Sequence, residues 1–372
     1  MKYLVFAFLS LFMAACEAGD AFRTAGSGNL PFPVADEREL IVLTADAPEG
    51  LISTAQARKY ILRAQHALPR LDDTLVVFGI PTGTTIPEAI SEIEDAVPGV
   101  TAGANHLYFL QGNAEAELDY AGAMIGWPKE GCVARTSFGM IDGGVTEDNP
   151  ALVSGQIIQK AFGDGSNPRA TKHGGRVAAL LAGKGRLRGA PLYSANVIAR
   201  GDAAGVVPIL RGLDWLASNG VRVVNISMAG PRNKLMNRAL SRAASNGMVL
   251  VAAVGNDGPN APPRYPAAFP FVLGVTAVDR DGDVFRRAGR GAHVDVAAPG
   301  VDIRLPDADR LQIASGTSMA APFVTAAIVA DRSMARRPVE VIRKSLATTA
   351  TDLGPAGRDT VFGAGLLRFP GC

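Results

Sequence analysis

From Ser137 onward the chain alternates short runs that are apolar along their whole length with stretches of helical periodicity. The runs are Phe138-Gly139-Met140-Ile141, Ala195-Asn196-Val197-Ile198, Val221 to Ile226, Met248 to Ala253, Val272 to Val275 and Val294-Asp295-Val296. Ile209 to Ala217, Lys234 to Ser245 and Pro338 to Leu346 read as helices between or after them. A strand with one wet face alternates apolar and polar residues, whereas a strand apolar at nearly every position is covered on both faces. Such strands separated by helices specify an α/β fold with a doubly wound, mostly parallel sheet. The chain can fill that core, since 48% of its 372 residues are hydrophobic and only 19% are charged. A net charge of +2 gives no case for nucleic acid or another charge-driven partner.

Ahead of this region lies a smaller module. Leu40-Ile41-Val42-Leu43 and Leu75-Val76-Val77-Phe78 read as strands, Ser53 to His66 and Ile86 to Ala96 as helices, and Pro98-Gly99 as a turn. The expected organisation is an export signal over 1–18, a flexible tether over 19–38, a small α+β domain over 39–112, a junction over 113–130 and the large domain over 131–372. Lys2 and the apolar run Tyr3 to Met13 make the signal, which is too short to span a bilayer. It ends in Met13-Ala14-Ala15-Cys16, which resembles a bacterial lipobox and so implies lipidation of Cys16 and a lipid anchor. The other reading is ordinary cleavage near Ala18, with Cys16 discarded. On either reading the protein is exported, as a cell-envelope or periplasmic lipoprotein or as a secreted protein. The three cysteines lack zinc-type spacing. In an oxidising compartment Cys132 and Cys372 are candidates for a disulfide, if the fold brings them together.

In open parallel sheets, active groups collect at the carboxyl ends of strands. Three residues fit that rule. Asp142 directly follows the run Phe138 to Ile141, and His173 precedes Gly174-Gly175 and a small-residue helix. Ser318 stands in Ser315-Gly316-Thr317-Ser318-Met319-Ala320-Ala321-Pro322, at a glycine-flanked turn opening an apolar helix. The positive end of a helix favours negative charge on a nucleophile there and on what it attacks. Serine is also a common N-cap, aspartate a common turn residue, and a lone histidine more often packs than catalyses. The other histidines, His66, His106 and His293, read as packing or surface residues.

The order Asp, His, Ser is that of subtilisin, and residues 120 to 368 resemble a subtilisin-like (S8) serine peptidase. "IDGGV" resembles the family's aspartate motif, "KHGGRVAALLAG" its histidine motif, "SGTSMAAP" its serine motif and "AAVGNDG" the segment carrying the oxyanion asparagine, here Asn256. The resemblance implies a serine endopeptidase acting on proteins or peptides. His173 would take the Ser318 proton, Asp142 would orient the imidazole, and Asn256 with the Ser318 N–H would hold the oxyanion. Ser227, Met228, Ala229 and Gly230 resemble the edge that pairs with substrate, and Ala253 and Gly255 lie in the segment that completes the pocket. Ala229 stands where glycine is usual, which implies a narrower pocket for the residue before the cut bond. Leu75 to Tyr108 resembles the inhibitor-type propeptides of this family, which implies a zymogen that cuts itself near residues 109–120 with its own propeptide as inhibitor. The chemistry requires no cofactor; structural calcium is common in the family, but no ligand set maps onto this sequence.

Two departures stand out. Gly143 replaces the usual Thr or Ser, and Gly175 the usual Thr. They keep open a second reading, a non-catalytic binding or scaffold protein on a peptidase fold. A third, an esterase with the same triad, fits the substrate-edge segment less well.

Overall fold

The structure, a computed structural model, describes residues 34–110, 120–146, 149, 151–152, 156–163, 170–198, 202–307, 310–331, 333–369 and 371–372. The export signal, Cys16 and residues 19–33 of the tether lie outside the described residues.

The N-terminal domain runs β1 (Glu39–Thr44), α1 (Glu49–Ala57), β2 (Ile61–Leu68), β3 (Asp73–Gly79), α2 (Ile86–Ala96), β4 (Thr101–Gly103) and β5 (Tyr108–Leu110). The first four strands form an antiparallel sheet in the order β2-β3-β1-β4. Successive side chains of a strand point to opposite faces, and β1 buries both. Leu40 and Val42 pack with Leu51 of α1 and Ile93 of α2. Ile41 and Leu43 pack with Leu235 and Leu240 of the large domain. Helix α2 begins with a capping box, in which Thr85 and Glu88 satisfy each other's backbone N–H groups.

One expected helix is corrected. Ser53 to His66 is not continuous: α1 ends at Ala57, Lys59 takes a left-handed φ of 68°, and β2 follows. Strand β2 lies at the sheet edge and begins in solvent, with Ile61 68% exposed. It therefore carries no clear two-residue apolar alternation, and only its pairing with β3 makes it a strand.

The large domain continues with α3 (Ala121–Ile125), β6 (Cys132–Val133), β7 (Phe138–Asp142), β8 (Ile157–Ala161), α4 (Lys172–Ala182), β9 (Leu187–Arg188), β10 (Leu192–Asn196) and β11 (Ala203–Ala204). Then come α5 (Val206–Ser218), β12 (Val223–Ile226), β13 (Met228–Ala229), α6 (Lys234–Ser245), β14 (Val249–Ala253), β15 (Leu273–Val278) and β16 (Val296–Pro299). The hairpin β17 (Ile303–Asp307) and β18 (Arg310–Ala314) leads into α7 (Thr317–Ala330), and α8 (Val339–Thr349) follows. Seven strands form one parallel sheet in the order β16-β15-β14-β12-β7-β10-β8. The strand order reverses at β7, whose carboxyl end is Asp142. Such a reversal opens a crevice for ligands. Helices α4, α7 and α8 cover one face, and α5 and α6 the other. The N-terminal sheet lies on the outside of α5 and α6.

The ends of the large domain are tied together. Helix α3 and Trp127, within the segment read as a junction, pack into the main core. The Phe369 ring lies 4.5 Å from Trp127, and a disulfide joins Cys132 to Cys372 across 5.6 Å between Cα atoms. That bond closes a loop with a sequence separation of 240. In a Ser318→Ala background, Cys372→Ser should cost about 3–5 kcal/mol of stability. Urea unfolding with and without reductant checks this: the parent should lose the same stability on reduction, while the variant should not respond.

Candidate active site

Asp142 ends β7 fully buried, and its Oδ1 accepts hydrogen bonds from Gly143 N at 2.7 Å and His173 Nδ1 at 2.9 Å. His173 is the second residue of α4 and is 9% exposed. The helix starts there because Thr171 caps it, Oγ1 accepting from Gly174 N at 2.9 Å. The loop after β7 and the first turn of α4 are in backbone contact. A Cβ on Gly174 would fall 2.2 Å from Gly143 O, and one on Gly143 would fall 2.0 Å from Thr171 Oγ1. The glycine at 143 thus has a steric cause: Thr171 fills the space a side chain would need. A Cβ on Gly175, by contrast, would meet, among the described residues, the Asn149 amide at 3.1 Å.

Ser318 is the second residue of α7 and is fully buried. The chain enters the helix through Gly316 at φ 154°, a backbone angle that side chains disfavour. Helix α7 packs beside α4. Ser318 Oγ and Asp142 Oδ2 have no hydrogen-bond partner among the described residues. The structure therefore joins the imidazole to the carboxylate but shows no bond to the serine hydroxyl.

Asn256 follows β14, and its Oδ1 accepts from Thr317 N at 3.1 Å and Thr317 Oγ1 at 2.9 Å. The oxygen thus faces α7, and the Nδ2 end of the planar amide is turned the other way. Sequence reasoning overlooked Thr317 as the residue that sets this orientation, although it lies inside the serine motif. Ser227 Oγ donates to Ser318 O at 3.0 Å. Met228 and Ala229 form β13, and Gly230 exchanges backbone hydrogen bonds with Tyr265. Ala253 ends β14, buried. Gly255 has φ 99°, and a Cβ there would sit 3.5 Å from the Ala229 methyl. These residues gather on two neighbouring segments at the carboxyl end of the sheet.

The crevice is occupied. Strand β5 lies antiparallel between β11 and β13, pairing Tyr108 with Ala204, Phe109 with Ala203 and Ala229, and Leu110 with Met228. Tyr108 is fully buried and donates its hydroxyl to Pro231 O at 2.9 Å, and burial pushes its phenol pKa up. Its ring covers Gly230, where a Cβ would come within 2.4 Å. Behind this strand the N-terminal domain is held by polar contacts. Asn105 Oδ1 accepts from Val206 N, at 2.6 Å, in the first turn of α5, whose own N-cap Gly205 has no side chain. Asp73 accepts from Arg238 at 2.7 and 3.1 Å and lies 3.0 Å from Arg242. Burial pushes the Asp73 carboxyl above the usual range, although both guanidinia pull it down. Among the described residues, no group of three or more His, Cys, Asp or Glu side chains is placed to hold a metal ion.

A profile of the subtilase family (peptidase S8) matches residues 135–365, more than half of the chain. The chain belongs to the subtilase family. It is 29% identical over 241 residues to the minor extracellular protease Epr of Bacillus subtilis, covering 62% of this chain and 37% of Epr. It is 34% identical over 210 residues to subtilisin Savinase of Lederbergia lenta, covering 54% of this chain and 76% of that one. Fervidolysin from Fervidobacterium pennivorans, a keratinolytic enzyme related to subtilisin, has the same fold. Its crystal structure gives a TM-score of 0.72 at 21% identity, over 90% of this chain and 60% of fervidolysin. This subtilase thus spans little more than a third of Epr and 60% of fervidolysin.

Gly143→Ala tests the tight joint beneath His173. Its methyl must displace Thr171, so the variant should lose about 1–3 kcal/mol of stability. Displacing the start of α4 should also cut kcat/KM about a hundredfold. Thermal unfolding and peptide hydrolysis check the two effects.

Proposed function

We propose that this subtilase is an exported serine endopeptidase, made as a zymogen that cuts itself. The observation that carries this reading is strand β5: a segment of the chain's own N-terminal domain lies in the crevice as an added strand, the way a peptide substrate binds by backbone pairing. Ser318 Oγ attacks the peptide carbonyl while His173 takes its proton, giving a tetrahedral intermediate. His173 gives that proton to the leaving amine as the C–N bond breaks, which leaves an acyl-enzyme, and then takes a proton from the water that hydrolyses it. Asp142, bonded to His173 Nδ1, keeps the other ring nitrogen available and stabilises the imidazolium. The oxyanion is held by Asn256 Nδ2 and the Ser318 N–H at the positive end of α7. Removal of such an asparagine costs about 10²–10³ in turnover, a figure that comes from subtilisin itself.

The cut separating the two domains follows β5, in a segment that includes the undescribed residues 111–119. Until then the N-terminal domain acts as inhibitor. It also serves as a folding template, since a parallel sheet with non-local pairings forms slowly, and Asn105 completes the first turn of α5. Export accords with relatives such as the extracellular Epr, with Cys16 as the proposed lipid anchor. The scaffold reading draws on the unpartnered Ser318 Oγ and Asp142 Oδ2.

One experiment separates the readings. The purified parent precursor should mature and then label with a fluorophosphonate at neutral pH, while Ser318→Ala should stay full length and unlabelled. Maturation of Ser318→Ala at the parent's rate would remove self-processing. An unlabelled parent, freed of its N-terminal domain, would favour the scaffold.

The Ala229 methyl beside Gly255 narrows the pocket for the residue before the cut bond. Ala229→Gly should raise cleavage after Phe and Tyr relative to Ala by about tenfold, the worth of a methyl or two in an apolar pocket. A peptide-library profile measures it, and a parent that already prefers large aromatic residues would contradict it.

A further inference from the structure

Helix α7 contains a proline, Pro322, four residues after Ser318. In an α-helix each C=O accepts from the N–H four residues on, and proline has no N–H. The carbonyl of Ser318, a fully buried residue, therefore lacks its helical donor. The donor comes from outside the helix: Ser227, between β12 and β13, donates its hydroxyl to Ser318 O at 3.0 Å. That hydroxyl has a single proton, and Asn225 Nδ2 donates to Ser227 Oγ at 2.8 Å. Asn225 Oδ1 in turn accepts from Thr325 Oγ1 at 3.1 Å, on α7 some two turns beyond the nucleophile. The same threonine hydroxyl lies 3.1 Å from Ala321 O. Asn225, Ser227 and Thr325 are all fully buried.

We infer that Asn225 and Thr325, acting through Ser227, are positioning residues for the nucleophile. The relay supplies the hydrogen bond that Pro322 withholds and so fixes the peptide plane after Ser318, one bond from the Cα that bears the Cβ–Oγ side chain. This inference rests on the reading of Ser318 as nucleophile. Without the relay the carbonyl has to turn toward another donor, and the hydroxyl turns with it. A purely structural network would instead lower stability while leaving each folded molecule as active as before.

The test uses the full chain, matured and purified, and compares Thr325→Val, which keeps the shape but lacks the hydroxyl, with Thr325→Ser, which keeps the hydroxyl. Ser227→Ala is the second variant should Thr325→Val fail to fold. The readouts are the urea midpoint, then kcat, KM and the fluorophosphonate labelling rate per folded molecule. Thr325→Val should lower kcat and the labelling rate together by about tenfold, and Ser227→Ala by about a hundredfold, as expected for sub-ångström to 1 Å displacements. KM should hold, and Thr325→Ser should behave as the parent. Parental turnover per folded molecule in both Thr325→Val and Ser227→Ala overturns the inference while the peptidase reading stands. A parent that does not label at all overturns both.

Discussion

Helix α7 has no wet side. All fourteen of its residues are buried, and it packs on β12, β14, β15 and β16. A helix apolar all round belongs in the middle of a domain. Here it runs back from the carboxyl end of the sheet, so its N-terminus opens into the crevice at the strand reversal. Gly316 makes the entry, Thr317 holds Asn256, and Ser318 stands in the first turn, whose N–H groups lack an acceptor four residues back in the helix. The same burial makes an unpaired carbonyl of the first turn costly, and the gap made by Pro322 is filled by Ser227, between β12 and β13.

The N-terminal domain meets the large domain in two ways that differ in specificity. Strand β5 uses backbone hydrogen bonds, which accept almost any sequence. Tyr108 adds selectivity, because its ring needs the bare Gly230 and its hydroxyl needs Pro231 O. Beneath them, the outer face of β1 shares a core with α6, and Asp73 is clamped by Arg238 and Arg242. Buried ion pairs repay little of their desolvation, so apolar contact supplies adhesion and the charged clamp sets the alignment. The crevice at the carboxyl end of the sheet is thereby filled by an extended segment of the chain itself.

Much of the fold was legible because its strands are buried on both faces. Phe138 to Ile141 and Met248 to Ala253 read correctly from apolarity alone, and Lys234 to Ser245 from its helical period. Strand β10 and strand β16 sit two to three residues from where their apolar runs suggested, because register is decided by neighbours. Ser53 to His66 failed for the same reason, β2 being a strand only through β3. In the site, motifs name Asp142, His173, Asn256 and Ser318 but carry no distances. Thr317, Asn225 and Thr325 are ordinary residues in sequence, and each acquires its place through an atom supplied by a distant segment.

By itself the sequence determined the family, the α/β class and the types of reactive group, since these are written in local periods and short motifs. Tertiary structure alone decided that Cys132 meets Cys372, that Thr171 excludes a side chain at 143, that β5 lies in the crevice and that Ser227 supplies the bond missing from α7. These depend on contacts between residues far apart in the chain, and no local pattern encodes which distant atom fills a given space or completes a given hydrogen bond.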